Sequence, residues 1–138
     1  MKPCKPLIRF ALLMTLSVLG CSTLPTPKHD RFKFPETKAF LGKPERSYTI
    51  VGQVKSKVNF QTLDMTREEG ELCRNYYNKS VKQLVKDAIS HGGDAVIQVR
   101  SIVFLEDGRR EEYPTPECAD DGMEGQVLTQ GVAIKWTS

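Results

Sequence analysis

The chain has 138 residues, 27% of them charged and 39% hydrophobic, with a formal net charge of +3. That length supports one hydrophobic core and leaves no room for two. The basic excess belongs to the start of the chain, where Lys2, Lys5 and Arg9 precede an apolar run, so the charge of the remainder needs separate accounting.

The first element is that apolar run, Leu7 to Gly20, closed by Val18-Leu19-Gly20-Cys21. A basic start, an apolar middle and small residues before a cysteine form an export signal. The stretch is too short to remain as a membrane span, which takes about 20 apolar residues. The pattern resembles the lipobox of bacterial lipoproteins. That resemblance implies removal of residues 1–20 and lipid attachment at Cys21, with Ser22 directing the product to the outer membrane and the domain facing the periplasm. An ordinary secretory signal that ends near a cysteine is the plainer alternative, but length, Gly20 and Cys21 fall in register. Several acyl chains, at about 0.8 kcal/mol per buried methylene, would anchor the protein almost permanently.

Removing the signal takes Lys2, Lys5 and Arg9 with it, and 17 basic residues then face 17 acidic ones. A neutral chain has no net basic excess with which to attract nucleic acid or an anionic lipid surface, so neither is expected as a partner on charge alone.

Residues 21–44 read as a lipidated cysteine and a tether, with Pro25, Pro27, Pro35 and Pro44, many charges and little periodicity. Phe32, Phe34, Phe40 and Leu41 are more than a spacer needs, so the later tether is expected to pack on the domain or on a partner. The domain occupies residues 45–138. Tyr48–Phe60 alternates, with Ile50, Val54, Val58 and Phe60 on one side and Thr49, Gln53, Lys55, Lys57 and Asn59 on the other, the pattern of a half-buried strand.

A polar connection, 62–71, leads to a helix from about Leu72 or Asn75 to Ser90. Its stripe is Val81, Leu84, Val85, Ala88 and Ile89, and Gly92-Gly93 supplies the stop. Ala95–Phe104 is rich in Val and Ile and reads as a second strand, Asp107-Gly108 as a hairpin, and Arg109–Tyr113 as its short return. An acidic loop, Pro114–Gly125, precedes the last strand, Gln126–Trp136, with Leu128, Val132, Ile134 and Trp136 on one face.

The expected fold is α+β: a small mixed sheet in the order strand, helix, strand, strand, with one helix packed on one face. A helical crossover favours a parallel pair between the first two long strands, to which the last adds antiparallel. One helix covers one face. The other must be polar, covered by the tether, or used against another molecule, and function is expected there.

Of the four cysteines, Cys4 leaves with the signal and Cys21 carries lipid, which leaves Cys73 and Cys118. An even pair in an oxidising compartment is expected to form a disulfide. A redox or metal-binding thiol pair is the alternative, but there is no Cys-x-x-Cys spacing, and His29 and His91 are the sole histidines.

Leu41-Gly42-Lys43-Pro44, Gly52-Gln53-Val54, the helix end His91-Gly92-Gly93-Asp94-Ala95-Val96 and the strand from Gly125 to Trp136 together resemble two groups. One is the RcsF family of outer-membrane stress-sensing lipoproteins; the other is the YbjQ family, small oligomeric domains described as heavy-metal binders. The resemblance covers roughly residues 39–136. The anchor, tether and Leu41–Pro44 segment bring the chain closer to RcsF. RcsF-like proteins carry four domain cysteines in two bridges, whereas here Cys73 and Cys118 permit one. The resemblance implies outer-membrane β-barrel proteins and an inner-membrane regulator as partners.

Candidates for other chemistry are sparse. Ser80, Ser90 and Ser101 lack a nucleophile-elbow context, and His91 sits where a histidine caps a helix C-terminus. Glu117, Asp120, Asp121 and Glu124 are dense enough for a weak calcium site but lack EF-hand spacing, so solvated loop charge is the expectation. Tyr76 and Tyr77 suggest a binding patch, with one of them in the core.

The expected protein is therefore a non-enzymatic, lipid-anchored envelope module with no cofactor or metal beyond the lipid on Cys21, binding an envelope protein or sensing envelope stress. An oligomeric, possibly metal-binding domain and a purely structural lipoprotein are the alternatives.

Overall fold

The last strand of the chain lies inside the sheet. The computed structural model describes Phe34 and residues 36–61 and 69–138. Their elements are β1 (Tyr48–Gln61), α1 (Glu69–Ser90), β2 (Ala95–Phe104), β3 (Arg110–Tyr113), β4 (Ala119–Asp120) and β5 (Glu124–Trp136). The strand order is β1-β5-β2-β3, with β4 also pairing to β5. The architecture is the expected α+β one, strand-helix-strand with one helix over the sheet.

The pairing differs from expectation in one respect. β1 and β2 are not neighbours: β5 inserts between them, antiparallel to both. The two crossover-linked strands still run parallel to each other, one strand apart. Insertion of β5 gives every named pair the antiparallel ladder with its perpendicular hydrogen bonds.

The helix-side core joins Leu72, Tyr77, Val81, Leu84, Val85 and Ala88 of α1 to Val54 and Phe60 of β1, Val96 and Val99 of β2, and Val127 and Ala133 of β5. Two positions depart from the periodic reading. Ile50 is 70% exposed. A register shift between Ile50 and Gly52 inserts Val51 as an extra residue, so Ile50 lies opposite Ile134 and leaves the face that holds Val54. Ile89 is 47% exposed, at the edge of the helical stripe.

Helix termination follows the glycines. Gly92, at φ +84°, reverses the chain; Gly93 N–H donates to Ala88 O (2.8 Å) and Gly92 N–H to Ile89 O (3.0 Å). This is a Schellman closure, in which a left-handed residue satisfies the last carbonyls. His91 Nδ1 bonds Asp87 O at 2.7 Å, the capping role expected of it. β2 and β3 form the expected hairpin. At its tip the Arg109 backbone N–H, and then its guanidinium, hold the Asp107 carboxyl below the usual range.

The close fit of β5 to its neighbours depends on missing side chains. A Cβ on Gly131 would stand 2.3 Å from Val96 Cγ1. Ser80 of α1 and Thr129 of β5 share a buried hydroxyl–hydroxyl bond of 2.7 Å, satisfying two polar groups that burial would otherwise penalise.

Candidate functional site

The sheet face opposite α1 is covered over one half only. There, Ala95, Ile97 and Ile134 are buried beneath Phe40, Tyr48, Val132 and Trp136. The cover is the end of the expected tether, held to β2 as an added strand-like strap. Val96 N–H donates to Lys38 O (2.8 Å), Phe40 N–H to Val96 O (2.9 Å) and Val99 N–H to Phe40 O (3.1 Å). Phe40 meets Trp136 edge-on at 6.1 Å, Tyr48 does so at 6.4 Å, and the Arg46 guanidinium lies 4.8 Å from the Trp136 ring centroid. The aromatic residues that a spacer would not need are thereby accounted for from Phe34 onward: Phe34 stacks on Tyr77 and Ala39 is buried.

The other half is uncovered and largely polar, with the exposed Phe104 opposite Arg110 at its edge. β1 contributes Gln53, Lys55, Lys57 and Asn59, β5 contributes Gln126, Leu128 and Gln130, and β3 adds Arg110 and Glu112. Five of these side chains are bonded to one another. Arg110 donates to Gln130 Oε1 (2.5 Å), Gln130 Nε2 to Glu112 Oε1 (2.9 Å), and Arg110 pairs with Glu112 at 2.7 Å. Gln126 Nε2 donates to Asn59 Oδ1 at 3.3 Å.

Between the halves lies an open cleft of ≈ 360 Å³, lined by Gln53, Gln98, Arg100, Glu112, Gln130 and Val132 among others. Gln98 has φ +54°, the left-handed region that favours glycine. It sits where the β2–β5 register shifts between Ile97 and Arg100. Arg100 is held by the carbonyls of Leu41 and Val99, both at 2.7 Å, so the strap and the cleft share a residue. Amides, a guanidinium and a carboxylate on a rigid sheet can donate and accept hydrogen bonds to another polar surface.

The cysteine pair is bonded as expected: Cys73 and Cys118 are joined at 2.04 Å, with Cα atoms 5.8 Å apart. The bridge ties the N-terminal part of α1 to the loop before β4. Cys21, the expected lipid attachment point, lies outside the described residues, as do the signal and His29.

The acidic loop is turned onto its own backbone. Asp121 Oδ1 accepts the N–H groups of Glu124 (2.8 Å) and Met123 (2.9 Å), which lower its pKa, and Asp120 Oδ1 accepts that of Gly122 (2.7 Å). Among the described residues, no three His, Cys, Asp or Glu side chains gather as a metal-holding group. Ser101 donates to Thr115 O and accepts from Glu117 N–H, fastening the same loop. Of the tyrosine pair, Tyr77 is buried and Tyr76 stacks on Phe60 at 4.5 Å. Burial pushes the Tyr77 phenol well above its ordinary value, partly offset by Ser101 and Arg100. The Glu111 carboxylate, accepting from the Tyr113 hydroxyl, raises that phenol too.

No protein-family model and no curated protein matches the chain. Among solved structures, a crystallised protein of unknown function from Pediococcus pentosaceus, placed in the DUF74 family, is similar. It shares 14% identity at a TM-score of 0.52, over 72% of this chain and 96% of that one. The likeness supports the fold.

Proposed function

We propose that the chain is a lipid-anchored periplasmic protein of the outer membrane, attached through Cys21, whose domain binds an envelope protein as a stress-sensing or scaffolding module. The observation that carries the reading is the half-covered sheet face: a rigid, pre-bonded polar surface left bare beside a strap that closes the rest. Such a surface loses little side-chain entropy when a partner docks, because Arg110, Gln130 and Glu112 are already ordered. No cofactor enters this mechanism. The lipid fixes the location, the tether sets the reach, and the disulfide ties the acidic loop to the helix. The Val18–Cys21 pattern supports the anchor, and the resemblance to RcsF-like proteins supports the choice of partner class.

A photo-crosslinker at Lys55 or Lys57, in cells producing the whole chain, tests the docking surface. Adducts with another envelope protein are expected. Adducts formed equally well from Lys86, on the opposite side, would overturn it. Mass spectrometry of the exported chain tests the anchor, since lipid must be found on Cys21 and absent from Cys21→Ser.

One observation favours a second reading, the oligomeric domain. β1 is an edge strand whose outer backbone has no strand partner among the described residues, and Ile50 and Val51 are exposed on it. Such an edge can add a strand from another copy. Crosslinks from Lys55 to the chain itself, with a defined oligomer in native mass spectrometry, would shift the weight there.

A further inference from the structure

The balance of 17 basic and 17 acidic residues beyond the signal conceals a segregation. Glu117, Asp120, Asp121 and Glu124 belong to the loop that the disulfide ties to the N-terminal part of α1. Lys79, Lys82 and Lys86 follow at three- and four-residue spacing further along that helix, so they share one face. With Lys38 of the strap they line an open groove of ≈ 620 Å³ that also includes Val85 and Ile89.

Two features set this groove apart from an ordinary solvated face. Like charges at such spacing destabilise a helix. The sole carboxylate in the lining is Glu36. Beside the lysines, the exposed Ile89 offers an apolar surface. Ammonium heads on methylene stems around an aliphatic patch match the boundary between lipid phosphates and acyl chains.

We infer that this groove docks the domain on the anionic phospholipid surface of a membrane. The helix then faces the lipid, and the bare half of the sheet, on the opposite side, faces away from it toward a partner. Charge complementarity favours an anionic occupant, and the half-exposed Ile89 favours lipid over a purely acidic peptide. The chain from Cys21 to Lys38 can extend no further than about 60 Å, a reach that lets an anchored chain bring the groove to the bilayer. The choice of membrane rests on the lipoprotein reading; the chemistry of the groove does not.

The test is flotation of the unlipidated chain, residues 22–138, with vesicles of phosphatidylcholine alone or mixed with phosphatidylglycerol. This segment contains the whole described core, and omitting Cys21 keeps a failed anchor from masking the result. Binding is expected with the anionic vesicles, weakening as salt rises. Lys82→Gln with Lys86→Gln should weaken it roughly 30-fold, on the usual contribution of a lysine near an anionic surface. Lys43→Gln with Arg109→Gln, the same loss of charge outside the groove, should leave it unchanged. Equal binding to both vesicle types, no binding to either, or equal loss in both variant pairs would overturn the inference. Capture of polyglutamate in preference to anionic vesicles would overturn it in favour of an acidic protein. The salt titration needs no variant, so a poorly folded mutant does not leave the question open.

Discussion

Toward α1, the central strand β5 presents Val127, Thr129, Gly131 and Ala133; toward the far side it presents Leu128, Val132, Ile134 and Trp136. Small residues let the helix approach the sheet closely, and the helix supplies the bulk: Leu84, Val81 and Tyr77, all fully buried. On the far side the cover among the described residues is a thin strap with Tyr48 and Arg46 beside it, so the strand itself must supply large side chains. One face is closed by a regular element and the other by a few aromatic residues over half its area. The comparison shows where stability is concentrated and where surface is left uncovered.

The largest expected effect is on the bridge that locks the helix side. Replacing both Cys73 and Cys118 by serine opens a loop of 45-residue separation and should cost about 4 kcal/mol in urea denaturation, on the chain-entropy account. A loss below about 1 kcal/mol would mean that packing alone holds the acidic loop. Leu84→Ala should follow at about 3 kcal/mol, since the leucine is fully buried. Leu128→Ala, on the partly open face, should cost less than about 1 kcal/mol. Similar values for the two leucines would erase the distinction between the faces.

The helix side should also impose a pH limit. Burial raises the folded pKa of Tyr77 above its ordinary 10.0. The folded state therefore keeps a proton that the unfolded state loses, so this contribution is intact below pH 10 and declines as pH rises beyond it. The slope approaches about 1.4 kcal/mol per pH unit. Tyr77→Phe, followed by urea denaturation at alkaline pH, should flatten that decline.

Phe40→Ala probes the strap and should cost about 2 kcal/mol, as a partly buried aromatic truncation. The chain has a single tryptophan, so Trp136 emission reports directly on the cover. A red shift on Phe40→Ala is expected; an unchanged spectrum would mean that Tyr48 and Arg46 hold the ring without the strap.

The legibility of this molecule in its sequence followed the same division. The helix, its Gly92-Gly93 stop, the Asp107-Gly108 hairpin and the second strand depend on near-neighbour chemistry and were readable from it; the cysteine pair, 45 residues apart, was readable from cysteine parity alone. The position of β5 between β1 and β2 was not, because strand order is decided by long-range pairing that periodicity does not encode. The Leu128–Trp136 alternation identified a shared face without saying which side it took. Residues of the cleft had weaker signals still: Gln98 and Gln130 look like ordinary solvent-facing amides until the bulge and the neighbouring strand bring them together. Phe32, Phe34, Phe40 and Leu41 in a proline-bearing tether were the clue that part of the tether belongs to the fold. Counting charges hid the basic groove, since a balanced total is silent about arrangement.

The smallest effect expected bears on the boundary between the covered and bare halves. Gln98 holds φ at +54°, a conformation costing a non-glycine residue about 1 kcal/mol or more. Glycine removes that steric cost but gives the unfolded chain more freedom, so the two contributions oppose each other. Gln98→Gly should therefore raise stability by no more than about 1 kcal/mol in urea denaturation. If the glutamine is retained for contact, the same variant should weaken crosslinking from Lys55 to an envelope partner while leaving Trp136 emission unchanged. A variant that instead releases the strap would show that the twist at Gln98 serves the cover, because its N–H and that of Val99 reach back to Gly42 and Phe40. Gain in stability with loss of partner capture would place the cleft on the binding side of the boundary.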